Sequence, residues 1–557
     1  MQTPARRTGY FLFVPLILYF AIFCLYTYPW IARFSTHYFC DQGDGFQNVW
    51  NLWWIDWSIT VLKTHPWFTN YLHYPFGASL LPHTLNPFNG LIYIPAIRFL
   101  NPIQSHNLVV IFSFVAGGLT AFWLAYKFSR SYLGSLVGGG IFTFSAYHFA
   151  HAIGHLQLVS LEWLPAFALA WWLLLESPGL RKAILASLML LFVILCDYYY
   201  FFYCVMFGLL ALAYLVFQQK DWRLLFHRHC LQAMGLFLLI SIGTSGVLAA
   251  SLLCLAKHDP LLGSHRAEEW GLDLLAPFVY GEHWRFSALT RGIWHSWHQD
   301  RVEVTVQLGL VALAVAAWTA WNRKRIQVRE LGFWFLVLAS FWLLSLGPQL
   351  RILGHIYELK FMPYDLLARA LPFFEISGSP NRMIVMVTLA LSVIVATGFP
   401  LLIKRLNLPI WAIVLIVIVM AVEYWPASLP VSQMEVPEFV NVLRNQPDRE
   451  AVIDLVHPGQ VAMYFQTFHH RPIAYGYTSR VTQSIAIAEQ QLTAAAQGGD
   501  YFKLCSEYGL GYLVAPANKD LLLPDNKQPD SLNLLYQGQG VQLFKLGKGP
   551  CTLKPED

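Results

Sequence analysis

The sequence has 557 residues, of which 56% are hydrophobic and only 12% are charged. Because soluble domains carry about 25% charged residues, this composition and a mean hydropathy of +0.46 exclude an ordinary soluble protein. The formal net charge of +5 comes from basic residues spread between apolar segments, so we expect no nucleic-acid partner.

Long apolar segments recur along the chain. We expect about eleven membrane-spanning helices of roughly 17–25 residues each, near residues 10–33, 105–126, 132–150, 157–176, 182–197, 199–218, 230–256, 304–321, 331–347, 382–403 and 409–425. Every second connection is short and basic, from Arg6 and Arg7 before the first span to Lys404 and Arg405 after the tenth. The positive-inside rule places these connections in the cytoplasm. The predicted fold is therefore a polytopic α-helical membrane protein with its N-terminus inside and its C-terminus outside.

This topology predicts two domains. Residues 1–425 form the membrane domain, with outer loops near 34–104, 257–303 and 348–381, and residues 426–557 form an outer domain. In the outer domain, strand-like runs at 451–456, 511–515 and 540–546 alternate with helical candidates at 436–445 and 483–497. Such a mixture predicts a small soluble α/β domain. Cys505 and Cys551 lie in this domain, where they could pair in an oxidising compartment.

The first outer loop opens with HYFCDQGDGFQNVWNLWW (37–54), which places Asp41 and Asp44 where the first apolar segment ends. Aromatic and apolar residues then recur at helical spacing: Phe46, Val49, Trp50, Trp53, Trp54 and Trp57. A tryptophan-rich amphipathic helix is typical of the membrane interface, so we expect it to anchor the two carboxylates near the lipid head groups. The ordinary alternative is that the acids simply mark where charge leaves the membrane.

Polar residues also gather at the outer ends of the third to fifth spans. His148, His151 and His155 share one helical face if the helix continues that far, and Glu162 and Asp197 lie near span ends. A carboxylate at the bilayer centre costs roughly 2.5–3.5 kcal/mol and is a functional candidate by default. The alternatives are interfacial histidines, carboxylates that only pair with a buried donor, and a metal bound by His151 and His155.

Arginines in the later outer loops are candidates for phosphate recognition, because the guanidinium group binds phosphate through two parallel hydrogen bonds. The candidates are Arg266, Arg285, Arg291 and Arg382. The alternative for each is ordinary loop charge.

Four stretches carry a resemblance to a known family: GDGFQNVWNLWW, NYLHYPFGASLLPHTLNPFNG, FSAYHFAHAIGHLQLVSLEWLP and FHHRPIAYGYTSR. With the layout of one span, a long acidic outer loop, further spans and an outer C-terminal domain, they resemble a bacterial branch of the GT-C integral-membrane glycosyltransferases. The resemblance implies a polyprenyl-phosphate-linked sugar donor and a first-loop acid that acts as a base or binds a divalent cation, Mg²⁺ or Mn²⁺. The match falls on Asp41 and Asp44, whose D-x-x-D spacing departs from the adjacent or D-x-D acids of the family and leaves both as candidates.

The resemblance therefore predicts transfer of a sugar to a glycan, lipid or protein acceptor, with inversion, at the outer face of a bacterial inner membrane. Asp44 would be the base and Asp41 a helper or metal ligand. Donor binding would fall to His151, His155, Glu162, Asp197 and the four arginines. The alternatives are a ligase or polymerase of lipid-linked glycans, a lipid or glycan transporter, and a scaffold that presents the outer domain.

Overall fold

The computed structural model describes residues 4–219, 227–263, 265–295, 297, 300–326, 328–370, 378–517, 532–547 and 551. The chain divides into two compact units. The first contains residues 1–39, 100–247 and 264–431, and the second contains residues 40–99, 248–263 and 432–557. The second unit therefore joins most of the first outer loop to the C-terminal domain, a grouping that the predicted boundary at 425 does not make.

The first unit is a bundle of apolar helices. Its longer helices are Pro4–Thr27, Pro102–Ser129, Tyr132–Thr143, Trp163–Glu176, Leu180–Cys196, Tyr198–Gln219, Arg228–Ser241, Leu310–Trp321, Leu331–Ser345, Ile384–Leu406 and Ile410–Glu423. Shorter helices are Ala146–His151, Leu156–Val159, Arg291–Trp294, Arg301–Val304 and Pro363–Ala370, and the strands Leu350–Ile352 and His355–Tyr357 form a hairpin. A π-helical turn at Ile242–Gly246 leads into helix Val247–His258, which enters the second unit at Leu248.

Helices that can cross a membrane are present in the described part of the chain. Five are long and apolar enough: Gly9–Thr27, Pro102–Ser129, Tyr198–Gln218, Arg228–His258 and Pro380–Leu406. Shorter apolar helices lie at Trp163–Glu176, Leu310–Trp321, Leu331–Ser345 and Ile410–Glu423. The polytopic helical class is thus confirmed, whereas the number of spans stays a prediction.

Helix Ile384–Leu406 lies at the centre of the first unit, since every residue from Ile384 to Phe399 is buried. Helix Tyr132–Thr143 packs directly on it. A side chain at Gly134 would collide with the Ala396 carbonyl oxygen, so glycine is required for this close approach, as is common between membrane helices.

The predicted third span, 132–150, is not one continuous helix. Helix Tyr132–Thr143 ends before Ser145, whose hydroxyl accepts a hydrogen bond from His148 N and starts the separate helix Ala146–His151. The His148 ring lies between the carbonyl oxygens of Thr143 and Val159, at 2.7 and 2.8 Å. His148 therefore ties the broken helix together and does not share one continuous helical face with His151 and His155.

The second unit contains the first-loop helix Asp44–Asp56, a π-helical turn Trp57–Val61 and helix Pro87–Ala96. Its C-terminal part has helices Glu438–Arg444, Gly459–His469, Gln483–Gln497 and Tyr501–Ser506. Four strands form a mixed sheet in the order Ala451–Asp454, Leu510–Pro516, Val541–Leu546 and Leu532–Gly538. The first pair is parallel and the others are antiparallel. Short two-residue strands pair Phe68–Thr69 with Ala78–Ser79 and Leu261–Leu262 with Val481–Thr482. The predicted α/β domain is confirmed.

The first-loop helix packs inside its own unit. Trp50 and Trp54 are only 0% and 1% exposed. Trp50 Nε1 donates to Gln466 Oε1 at 2.6 Å, and Phe46 stacks on Tyr464 with ring centroids 4.3 Å apart. The prediction that these tryptophans anchor the helix in lipid is therefore wrong for Trp50 and Trp54, because the C-terminal helix Gly459–His469 covers them.

A disulfide joins Cys505 to Cys551, as the cysteine positions allowed. Cys551 N also donates to Glu450 Oε1 at 2.9 Å. The bond therefore holds residue 551 against the sheet of the C-terminal domain.

Candidate active site

The two first-loop aspartates have different surroundings within the second unit. Asp41 Oδ1 accepts hydrogen bonds from Gly43 N at 3.0 Å and Gly45 N at 2.8 Å, which closes the turn before the first-loop helix. A side chain at Gly45 would lie 2.6 Å from Cys40 Cβ and 2.9 Å from Asp41 Oδ1. The turn is therefore built for glycine at 45, and Asp41 supports its backbone.

Asp44 is the first residue of the first-loop helix and is half-buried. The hydroxyl of Tyr477 forms a hydrogen bond with its carboxylate, and burial together with this carboxylate raises the pKa of Tyr477. Because the hydroxyl thus stays protonated, it donates to Asp44. A carboxylate held in this way can accept a proton from a neighbouring hydroxyl.

A buried histidine supports the same region. Ser479 N donates to His83 Nδ1 at 3.1 Å, so this nitrogen carries no proton. The ring proton must then be on Nε2, which lies 2.8 Å from Asn51 Oδ1. Burial lowers the pKa of His83 to about 3, an effect that Asp44 only partly opposes. His83 is therefore a neutral imidazole of fixed tautomer that joins the first loop to residue 479.

In the first unit, a buried ion pair forms the core of a second polar group. Arg382 Nε lies 3.0 and 3.2 Å from the two Glu303 carboxylate oxygens, and Asn381 Nδ2 lies 2.9 Å from Glu303 Oε2. The Arg382 guanidinium also lies over the Tyr199 ring, 5.1 Å from its centroid. Burial alone would raise the pKa of Glu303, but the charge and hydrogen bonds of Arg382 outweigh burial and hold the pKa well below its usual value.

Two histidines complete this group, which we call the His–Glu–Arg cluster (His151, His155, Glu303 and Arg382). His151 Nδ1 lies 2.9 Å from His155 Nδ1, so one nitrogen donates to the other. His151 Nε2 is buried, has no hydrogen-bond partner among the described residues, and lies 4.0 Å from Glu303 Oε2. A proton or a cation between these two atoms would give the buried His151 Nε2 a partner.

The cluster contains donor atoms that could hold a divalent cation. One ligand atom each from His151, His155 and Glu303 lie within 4.8 Å of one another. Imidazole and carboxylate are zinc ligands at about 2.0–2.2 Å, which puts two tetrahedral ligand atoms about 3.4 Å apart. In the described part of the chain this is the one such group of three, and Asp41 and Asp44 are not in it. Their role as metal ligands stays a prediction.

The other predicted site residues have varied surroundings in the first unit. Glu162 is fully buried beside Ser113 and Trp163, at the start of helix Trp163–Glu176. Asp197 is 5% exposed and accepts a hydrogen bond from Tyr200 N at 3.1 Å, so it supports the start of helix Tyr198–Gln219. Arg266 and Arg291 are exposed.

The predicted convergence of all these groups at one site stays a prediction, because Asp41 and Asp44 belong to the second unit and the remaining candidates to the first. Within the first unit, the structure does bring together His151, His155 and Arg382.

Sequence reasoning missed several members of both groups. Glu303 looks like loop charge just before an apolar segment, yet it is 3% exposed. The local sequence QDRVEVTVQ contains both Asp300 and Glu303, and only the valines on either side of Glu303 indicate that it is the buried acid. His83 meets Ser479 across 396 residues of sequence, and Tyr477 meets Asp44 across a still longer separation, so no local pattern indicates either contact.

Comparisons with known proteins agree with the fold. A family model described as Domain of unknown function (DUF6311) matches residues 16–426. No curated protein matches the sequence. Arabinofuranosyltransferase AftD from mycobacteria is similar in structure, with a TM-score of 0.52 and 12% identity over 97% of this chain and 42% of AftD. This chain thus spans less than half of the length of AftD.

Two further solved structures are more distant. ArnT from Cupriavidus metallidurans bound to undecaprenyl phosphate has a TM-score of 0.41, with 10% identity over 98% of both chains. Oligosaccharyltransferase AglB from Archaeoglobus fulgidus, with an inhibitory peptide and a dolichol-phosphate, has a TM-score of 0.42 and 11% identity over 92% of this chain and 70% of AglB. The likeness to AftD confirms the predicted GT-C fold and extends to nothing beyond the fold.

Proposed function

The chain belongs to the family described as Domain of unknown function (DUF6311), and we propose that it is a membrane glycosyltransferase. Its donor is a sugar carried on a polyprenyl phosphate, and its acceptor is a hydroxyl group of a glycan, lipid or protein. The fold that it shares with AftD, an arabinofuranosyltransferase, supports a transferase. Because fold alone does not define a reaction, the proposal rests on the polar groups described above.

The His–Glu–Arg cluster is the observation that carries the proposal. A polyprenyl-phosphate donor needs a site at the end of membrane helices that stabilises phosphate charge as the glycosidic bond breaks. Arg382 precedes the central helix Ile384–Leu406 and is held by Glu303 and Tyr199. Such an oriented guanidinium suits phosphate recognition, and the adjacent histidines can supply further hydrogen bonds.

A divalent cation on His151, His155 and Glu303 would act as a Lewis acid toward a phosphate oxygen. The protein side chains would do the rest. Glu303 would orient Arg382, because both Glu303 carboxylate oxygens contact Arg382 Nε. Arg382 would bind the phosphate of the donor.

For the acceptor we retain Asp44 as the general base. The acceptor oxygen attacks the anomeric carbon while its proton passes to the Asp44 carboxylate, the bond from that carbon to the phosphate oxygen breaks, and polyprenyl phosphate leaves. One such displacement inverts the anomeric configuration. The different surroundings of the two aspartates support this choice, since Asp41 holds the backbone amides of Gly43 and Gly45 in a turn, whereas Asp44 accepts from the Tyr477 hydroxyl.

We propose that the reaction takes place on the outer side of a bacterial inner membrane. The positive-inside pattern supports this orientation. The Cys505–Cys551 disulfide adds independent support, because such bonds persist in oxidising compartments and are rare in the cytosol.

A matched pair of variants tests the assignment of the base. Asp44→Asn removes the proton acceptor, and loss of a general base lowers turnover by roughly 10²–10⁴-fold. Asp41→Asn keeps an Oδ1 that can accept the two glycine amides, so turnover should fall by less than about tenfold. The readout is sugar transfer by equally expressed, membrane-inserted proteins. Equal losses in both variants, or normal turnover of Asp44→Asn, would sink the assignment.

A further inference from the structure

The first unit contains a crevice whose lining residues include none of the His–Glu–Arg cluster. It has a volume of about 250 Å³ and is lined by residues 25–30, residues 425–429 and Arg285. Residues 25–30 end the first helix and follow it, and residues 425–429 follow helix Ile410–Glu423. The crevice therefore forms where two apolar helices end side by side.

The backbone around Arg285 is fixed by pairing with the segment after helix Ile410–Glu423. Arg285 N donates to Trp425 O at 2.9 Å, and Ala427 N donates to His283 O at 2.7 Å. The Arg285 guanidinium donates to Ser428 Oγ through Nη1 at 3.2 Å. Among the described residues no carboxylate forms an ion pair with Arg285. Its positive charge is thus available to a ligand.

The two helices that lead to the crevice have exposed apolar faces. On the first helix, Ile17 and Leu25 are 66% and 58% exposed, and on helix Ile410–Glu423 Leu415 is 52% exposed. The helices are joined beside the crevice by a 2.7 Å hydrogen bond from the Tyr26 hydroxyl to Ala421 O. In a membrane such faces contact acyl chains. A lipid lying along them would have its head group at the level of the crevice.

The lining of the crevice suits the boundary between lipid and water. Tyr26, Tyr28, Trp30 and Trp425 surround it, and tyrosine and tryptophan are enriched at head-group depth. The Arg285 guanidinium lines the crevice beside these rings and provides the charge that a phosphate group needs.

We propose that this crevice binds the phosphate group of an anionic membrane phospholipid. The Arg285 guanidinium and the Ser428 hydroxyl contact the phosphate, the aromatic rings surround the glycerol backbone, and the acyl chains follow the exposed faces of the two helices. The proposal replaces the donor-binding role predicted for Arg285, and its test needs no knowledge of the transferred sugar or the acceptor.

Native mass spectrometry of the full-length, delipidated protein tests the proposal, with Arg285→Gln compared to Arg33→Gln. Arg33 is an exposed arginine at the end of the turn Trp30–Arg33, just beyond the residues that line the crevice. The probes are dioleoylphosphatidylglycerol, undecaprenyl phosphate and inorganic phosphate. We expect the wild type and Arg33→Gln to retain phosphatidylglycerol, and Arg285→Gln to bind it roughly tenfold more weakly, as loss of one charge-assisted hydrogen-bond donor implies.

Several results would overturn the proposal: equal phosphatidylglycerol affinity in both variants, binding of inorganic phosphate alone, or preference for undecaprenyl phosphate, which would make the crevice a donor site. If Arg285→Gln fails to fold, a photoreactive side chain can replace that of Tyr28, which is 75% exposed, in the otherwise unchanged protein. Light-dependent attachment of phosphatidylglycerol at that position supports the proposal, and its absence contradicts it.

Discussion

Removal of one partner from the buried Glu303–Arg382 pair should destabilise the protein strongly. Arg382→Met leaves the Glu303 carboxylate 3% exposed, with the Asn381 amide as its remaining described donor. A buried charge that loses its partner costs about 3–5 kcal/mol. Glu303→Gln/Arg382→Met removes both charges and should recover at least about 1 kcal/mol of this loss, because residues in direct contact are not additive.

The pH dependence of this loss gives a second test. In the wild type the pKa of Glu303 is depressed, so its contribution to stability is present above the unfolded value of about 4.3 and is lost as the pH falls through the folded value. In Arg382→Met, burial is no longer opposed by Arg382 and the pKa rises. The variant then folds best with a neutral Glu303 carboxyl, so it loses stability as the pH rises and this group must ionise. The wild type does not, so the difference in stability between the two proteins should widen as the pH rises from about 4 to 8.

Equilibrium unfolding of the purified proteins in mixed micelles measures these differences. Arg369→Met is the matched control, because Arg369 pairs with Asp365 at 2.7 Å on the surface, where its side chain is 74% exposed. Exposed pairs contribute about 0–1 kcal/mol. If Arg382→Met costs no more stability than Arg369→Met, or if the double variant is the least stable protein, Arg382 does not stabilise the buried Glu303 carboxylate.

Three further outcomes follow from contacts in the second unit. Tyr477→Phe removes the donor to Asp44 and should lower turnover roughly tenfold with little change in expression; an unchanged turnover number would contradict the role of this hydroxyl. Asp448 accepts hydrogen bonds from Lys545 and Tyr512, which together outweigh burial and depress its pKa. The melting temperature of the wild type should therefore decrease when the pH is lowered below about 4. Asp448→Asn should have a lower melting temperature than the wild type at pH 7, and its melting temperature should depend less on pH. Cys551→Ser removes a disulfide between cysteines 46 residues apart and should lower the free energy of unfolding by about 2–4 kcal/mol. A reductant should destabilise the wild type but not this variant.

Composition and hydropathy were sufficient for the class of fold. The long apolar runs predicted membrane helices, and short apolar runs between helical candidates predicted the C-terminal strands. The prediction of helix 483–497 matches the observed helix Gln483–Gln497, because the run of alanine and glutamine after Thr482 favours a helix locally. The helix break at Ser145 was not predicted, since apolar composition continues through it and only the hydroxyl of Ser145 signals a new start.

Tertiary contacts limited the prediction of the site. Trp50 and Trp54 have the composition of a membrane-interface helix, and only the presence of the helix Gly459–His469 against them distinguishes burial in protein from contact with lipid. Glu303 was missed for the same reason, because its partners Asn381 and Arg382 lie almost eighty residues away. Charge and polarity identified Arg382 and His151 as candidates, but their grouping with Glu303 depends on the packing of separate helices.

The fate of the donor distinguishes sugar transfer from transport. Wild-type protein in proteoliposomes is given a panel of undecaprenyl-phosphate-linked hexoses and pentoses together with cell-envelope extract, and lipids and acceptors are analysed by mass spectrometry. We expect release of undecaprenyl phosphate from at least one donor, a matching gain of sugar mass on an acceptor, and loss of both in Asp44→Asn. Movement of an intact lipid-linked sugar across the bilayer, without cleavage of its glycosidic bond, would instead identify a transporter.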